Sequence, residues 1–181
     1  MSHPIILIGP LKAGKSTAGK LLAAALGWPF YSLDALERRY TEPAGFDPDR
    51  ARALRAAEGD WAWYSYRRRF FPAAVAGFLA EHPAGVLELG GGHPIAADPV
   101  GQAQITASLA PYRHVILLVP SQDRLASVRL LNSRLRPEWQ ADDWNRHFLA
   151  DDRYWQLATH VVLTEGRGVD ETVGELVAIG C

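Results

Sequence analysis

Cysteine is all but missing from this chain of 181 residues: Cys181 is the only one. A lone cysteine excludes an intrachain disulfide framework and a cysteine-built metal site. Lysine is nearly as scarce. Lys12, Lys15 and Lys20 are the only three, so arginine carries every other permanent positive charge. Bidentate anion recognition away from those lysines therefore falls to arginine. Long apolar runs are absent too, and no stretch approaches the ~20 apolar residues of a membrane span. The apolar run near the N-terminus is too short for a signal peptide, which makes a cytoplasmic protein the expectation. An excess of charge is also missing. Nineteen Lys and Arg against 20 Asp and Glu leave a net charge of -1, which argues against a broad nucleic-acid-binding face. No repeat, low-complexity tract or linker interrupts the sequence.

What is present suits one globular α/β domain spanning 1–181, with 48% apolar and 22% charged residues. Strand and helix patterns alternate, the signature of a parallel sheet covered on both faces. Strands are expected near 4–8, 29–31, 85–89, 113–119 and 160–163. Helices are expected near 15–26, 33–41, 48–58, 61–82, 99–110, 122–133, 145–157 and 169–179. Gly27 followed by Pro29 gives the first helix its stop signal. Asp47 before Pro48 reads as an N-cap with proline in the first turn.

The most informative segment is the first. An apolar strand, Ile5 to Ile8, runs into Gly9–Ser16, which fits G-x-x-x-x-G-K-[ST], and then into a helix with Leu21, Leu22, Ala25 and Leu26 on its apolar side. Successive backbone N–H groups of such a loop, followed by a helix N-terminus, cradle phosphate oxygens. Gly14 permits close backbone approach, Lys15 can reach the β- and γ-phosphates, and the Ser16 hydroxyl can ligate Mg²⁺. Gly9, Lys12, Ala13, Gly14, Lys15, Ser16 and Thr17 are thus the expected nucleotide site.

A second glycine element, Gly90, Gly91 and Gly92, ends the strand VLEL, where open α/β sheets bind ligands. Asp34, just past the short second strand, could hold or deprotonate an acceptor hydroxyl or could cap the next helix. The segment Ser133 to Asn145 is polar and charged, with a proline and two tryptophans. It reads as a flap over a phosphate site or as a plain surface loop.

The phosphate loop, Asp34, the three glycines, the pair Arg136–Pro137, and Tyr154 with Ala158 and Thr159 occur here in the order seen in shikimate kinases, and nearly the whole chain resembles that family. The resemblance implies a three-layer P-loop kinase fold, a five-stranded parallel sheet of order 2-3-1-4-5 with an acceptor-binding region near 32–75 and a lid near 133–150. It implies that Arg136 reaches the ATP phosphates from the lid, with Arg134 beside it, and that Arg129 packs on adenine. It assigns Asp34 to the acceptor's ring hydroxyls and Arg69 to its carboxylate, with Arg69 and the glycine turn defining the acceptor pocket. Arg67 and Arg68 adjoin Arg69, and a run of three arginines also reads as a solvated helix face.

Three positions depart from the family pattern. Ser32 stands where a second aspartate usually orders the Mg²⁺ shell, and Ala150 where a second arginine grips the carboxylate. Arg153 or Arg146, each about a helical turn away, could replace the latter. Trp61, Trp63, Tyr64 and Tyr66 are heavier aromatics than a small carboxylated ring needs, although aromatics commonly serve as core. Glu88, alone among apolar neighbours in VLEL, could support Mg²⁺ in place of the missing aspartate, or be a salt-bridged strand-end glutamate.

Together these readings predict an ATP- and Mg²⁺-dependent kinase acting on a hydroxyl of a small, polyhydroxylated and anionic metabolite, as a monomer or homodimer. The alternatives are a same-fold kinase with another acceptor (a sugar acid, nucleoside or antibiotic) and a nucleotide-binding regulatory ATPase. A nucleic-acid kinase is disfavoured by the near-neutral charge.

Overall fold

A computed structural model describes residues 3–136 and 143–180. Five strands, β1 (Ile5–Ile8), β2 (Phe30–Ser32), β3 (Val86–Glu88), β4 (His114–Val119) and β5 (His160–Leu163), form one parallel sheet of order β2-β3-β1-β4-β5. The sheet order agrees with the expectation. β1 is central, and its four residues are buried on both faces, as is most of β4. Such continuous apolar runs are what a strand needs when helices cover both sides.

The helices are α1 (Lys15–Leu26), α2 (Leu33–Thr41), α3 (Pro48–Glu58), α4 (Asp60–Arg67), α5 (Phe71–Glu81), α6 (Pro99–Leu109), α7 (Arg124–Ser133), α8 (Trp144–Ala150), α9 (Arg153–Leu157) and α10 (Val169–Gly180). Gly27 ends α1 in the left-handed conformation at φ 66°, and the Asp47 carboxylate accepts from the N–H groups of Asp49 and Arg50, both as the sequence implied.

Two expected helices are each broken in two. The helix expected over 61–82 stops at Arg67 and restarts at Phe71. Pro72, in the first turn of α5, has no N–H to give and its ring opposes the carbonyl four residues earlier. The helix expected over 145–157 breaks at Asp151, whose backbone is extended and whose carboxylate accepts from the Arg153 N–H at 3.0 Å, an alternative to helical bonding. Among the described residues, no helix is long and apolar enough to cross a membrane. Of the expected lid, Pro137 and the residues through 142 lie outside the described residues.

Candidate active site

The site is assembled at the carboxyl ends of β1, β2 and β3. After β1 the chain turns through Gly9 at φ 146°, Lys12 at φ 62° and Gly14 at φ 92° before entering α1. A Cβ on Gly9 would collide with the Leu118 carbonyl of β4, so only glycine fits there. Ala13 is buried beneath the loop, while Ser16 and Thr17 lie exposed in the first turn of α1. No side chain caps α1 and no acidic residue occupies its first turn, so its N–H groups face outward at the positive end of the helix dipole. That geometry suits a phosphate group.

Lys15 is 6% exposed, and its ammonium donates to the carbonyls of Gly9 and Pro10, each at 2.9 Å. Burial pulls its pKa below the ordinary lysine value, while the carboxylates of Glu88 and Asp34 push it back up. Lys15 therefore lies within the field of two carboxylates.

Glu88 is one of them. It is 3% exposed and accepts from the Ser16 hydroxyl at 2.6 Å. In the sheet register Glu88 lies directly beside Ser32, on the neighbouring strand. A buried carboxylate bonded to a hydroxyl, next to a lysine, suits a hydrated divalent cation, and the donor set of Ser16 and Glu88 oxygens suits Mg²⁺. The carboxylate missing at Ser32 is thus matched by one on the adjacent strand, at the same level of the sheet.

Asp34 is the other. It occupies the first turn of α2, whose N-cap is Ser32, so it does not serve as the helix cap. Its side chain remains 60% exposed. Gly90 packs against it so closely that a Cβ there would overlap the Asp34 carboxylate. Gly91 and Gly92 are pressed in the same way by Leu11 and Tyr64, at 2.7 Å from the position a Cβ would take. The triple glycine is therefore a steric requirement of this turn. Gly90→Ala should displace Asp34 and lower kcat/KM on the order of a hundredfold, since misplacement near 1 Å costs about that much. Steady-state kinetics beside a melting curve checks this; an unchanged rate would show that Asp34 moves aside at no catalytic cost.

A cleft of about 320 Å³ opens beside Asp34, lined among others by Leu11, Gly91, Gly92, Arg67, Tyr64 and Trp144. A broader hollow of about 680 Å³ lies along α6 between Arg68 and Arg153. It contains no phosphate-loop residue, whereas Leu11 and Asp34 both line the smaller cleft, which is therefore the candidate site.

The expected arginines separate. Arg69 is exposed and outside the lining of the cleft. Arg67 lines it instead, while Arg68 donates to the Ala96 carbonyl at 2.8 Å. Arg153 borders the α6 hollow, bonded to Asp151 at 2.8 Å, and Arg146 pairs with Asp143. Arg134 reaches back to the Lys12 carbonyl at 3.3 Å, which ties the start of the expected lid to the phosphate loop. Arg129 is exposed on α7, and Arg136 is exposed at the edge of the described residues.

Sequence reasoning missed a buried network. The Gly90 N–H donates to Nδ1 of His93 at 2.9 Å, so Nδ1 accepts and the proton sits on Nε2, which donates to Glu37 at 3.1 Å. Glu37 also holds Arg67 through both carboxylate oxygens. Burial by itself would raise the Glu37 carboxyl, but the His93 hydrogen bond and the Arg67 guanidinium outweigh it and bring the pKa down to about 2. Asp34, Glu37 and His93 place ligand-type atoms within 4.8 Å of one another, yet Gly90 and Arg67 already claim those of His93 and Glu37. The trio is a hydrogen-bonded scaffold under the glycine turn. The sequence did hold one clue: Glu37 follows Asp34 by three residues, on the same face of α2.

The chain matches no protein-family model. It is 35% identical over 179 residues to the shikimate kinase of Streptomyces coelicolor, covering 94% of this chain and 92% of that one. Among solved structures, the shikimate kinase of Acinetobacter baumannii in complex with shikimate superposes with a TM-score of 0.67 at 20% identity, covering 99% of this chain and 93% of the other. A gluconokinase from Sinorhizobium meliloti superposes with a TM-score of 0.55 at 18% identity, covering 99% and 91%.

Proposed function

The chain belongs to the shikimate kinase family, and on that basis we propose that it moves the γ-phosphoryl group of ATP to a ring hydroxyl bound beside Asp34, with shikimate the first acceptor to test. It is a small-molecule kinase using ATP with Mg²⁺. The observation that carries the assignment of the site is the meeting of the phosphate loop and Asp34 at one cleft, with Lys15 within the field of the Asp34 carboxylate.

In this reading the α1 N-terminus and loop amides hold the triphosphate, and Lys15 leaves its two carbonyl partners to follow the γ-phosphoryl group. The acceptor oxygen forms a bond to the γ-phosphorus as the bond to the β,γ-bridging oxygen breaks. The hydroxyl proton passes to Asp34, and ADP leaves with the bridging oxygen. Ser16 and Glu88 would hold Mg²⁺, which would supply positive charge to the phosphate oxygens. Arg134 and Arg136 add positive charge from the lid near 133–150, and Arg129 offers a surface for the adenine. Gly90 and Gly92 shape the acceptor region near 32–75, with Arg67 in the place expected of Arg69. The same reading carries a cytoplasmic monomer or homodimer with no nucleic-acid substrate.

Glu88→Gln keeps the shape and removes the charge. Outer-shell changes of this kind cost on the order of tenfold to a hundredfold in metal affinity, so the Mg²⁺ requirement should rise by that much. A Mg²⁺ titration of activity identical to wild type would remove Glu88 from the metal site. The function itself is tested by acceptor-dependent ADP release. Release that needs shikimate or a related polyol supports the proposal, whereas acceptor-independent hydrolysis opposes it.

A further inference from the structure

His93 is a buried titratable group that the transfer described above does not use. It is 2% exposed and packs edge-on against Phe71, at 4.7 Å between ring centroids. Both ring nitrogens are committed. Nδ1 accepts from the Gly90 N–H at 2.9 Å, and Nε2 donates to Glu37 at 3.1 Å. The His93 backbone N–H donates to the Gly90 carbonyl at 3.1 Å. One residue therefore takes the donor of Gly90 and satisfies its acceptor.

Asp34 is the neighbour that this arrangement affects. Its carboxylate is pressed against Gly90, and its Oδ1 lies 3.6 Å from Nδ1 of His93. Two groups stand near enough to donate to it: the Gly90 N–H, were it free, and Nδ1, were it protonated. Neither does. The Gly90 N–H is spent on Nδ1, and Nδ1, as an acceptor, carries no hydrogen. Asp34 accordingly accepts no hydrogen bond among the described residues. A carboxylate that accepts N–H bonds holds its charge and takes up a proton less readily. One kept free of donors is what an acceptor hydroxyl needs opposite it.

Glu37 sets the tautomer. Held ionised by its partners, it has no hydrogen to give, so the ring nitrogen that faces it must be the protonated one. The opposite tautomer would place an N–H against the Gly90 N–H, leave Glu37 facing a lone pair, and present a donor to Asp34. Arg67 fixes Glu37 in turn through both carboxylate oxygens, and Arg67 lines the same cleft as Asp34.

We propose that His93 is a positioning residue for the transfer: kept in its Nε2–H tautomer by Glu37, it withholds two donors from Asp34 and leaves that carboxylate free to take the acceptor's hydroxyl proton. This rests on the kinase reading of the site and extends it to a residue that acts through Gly90 and Asp34.

Two substitutions separate this role from packing. His93→Asn keeps an acceptor oxygen near the place of Nδ1. His93→Leu keeps bulk, accepts nothing and frees the Gly90 N–H. Both lose the bond to Glu37, so the difference between them isolates the bond to Gly90. With ATP, Mg²⁺ and shikimate on the whole chain, the leucine variant should lose on the order of tenfold to a hundredfold in kcat, the weight of one charge-assisted hydrogen bond laid on the base. Its KM for ATP should stay close to wild type, and the asparagine variant should recover most of the loss. A folded leucine variant with wild-type kcat, or an asparagine variant no better than leucine at equal melting temperature, overturns the inference. A wild-type chain that does not phosphorylate shikimate counts against the kinase reading with that acceptor. In that case, or if a variant does not fold, nitrogen-15 NMR of the wild-type chain decides. The His93 ring should show a bare Nδ1 and a protonated Nε2 at neutral pH, and a proton on Nδ1 overturns the inference.

Discussion

Replacing Lys15 with alanine should lower turnover by on the order of a thousandfold or more, the scale of removing one preorganised charged donor from a transferring group. The ammonium is held within the phosphate loop by the carbonyls of Gly9 and Pro10, so it waits beside its target. No other lysine can stand in, because Lys12 and Lys20 are exposed. The fold should persist. Alanine removes two hydrogen bonds and, with them, the cost of burying a cation, and these oppose each other. Rapid-quench turnover together with a thermal melt checks both halves. A variant that turns over within a few-fold of wild type would show that this loop does not carry the reacting phosphate.

Asp34→Asn should cost about a hundredfold to ten-thousandfold in kcat, the range of a positioned general base. The amide preserves shape and can still orient a hydroxyl, so the loss reports proton acceptance. The first turn of α2 and the pressure of Gly90 fix the carboxylate, and its 60% exposure leaves it open to an acceptor. ATP affinity should stay close to wild type if Asp34 serves the acceptor, as its place in the cleft with Gly91 and Gly92 suggests. A kcat that survives the change, with KM alone raised, would reduce Asp34 to a binding group.

Much of the fold and part of the site are legible in the sequence. The strand, loop and helix of residues 5–26 declare themselves locally, because Gly9 and Gly14 require backbone that other residues resist. Glu88 stood out because a charge in an apolar strand needs a reason, and the register beside Ser32 supplies it. The breaks at Arg68 and Asp151 were obscured by apolar periodicity that runs across them, although Pro72 marked the first. The three arginines were ambiguous for a geometric cause. Consecutive residues at a helix end diverge by about 100°, and only packing decides that Arg67 faces Glu37, Arg68 faces Ala96 and Arg69 faces solvent. The bond between His93 and Glu37 joins residues 56 apart, and no local pattern announces it.

The central claim is a transfer between two bound molecules in one cleft, and phosphorus NMR of a single reaction mixture tests it most directly. With ATP, Mg²⁺ and shikimate, the account predicts a new phosphomonoester resonance that grows in equal amount with ADP. ADP accompanied only by inorganic phosphate, at a rate indifferent to shikimate, would contradict it.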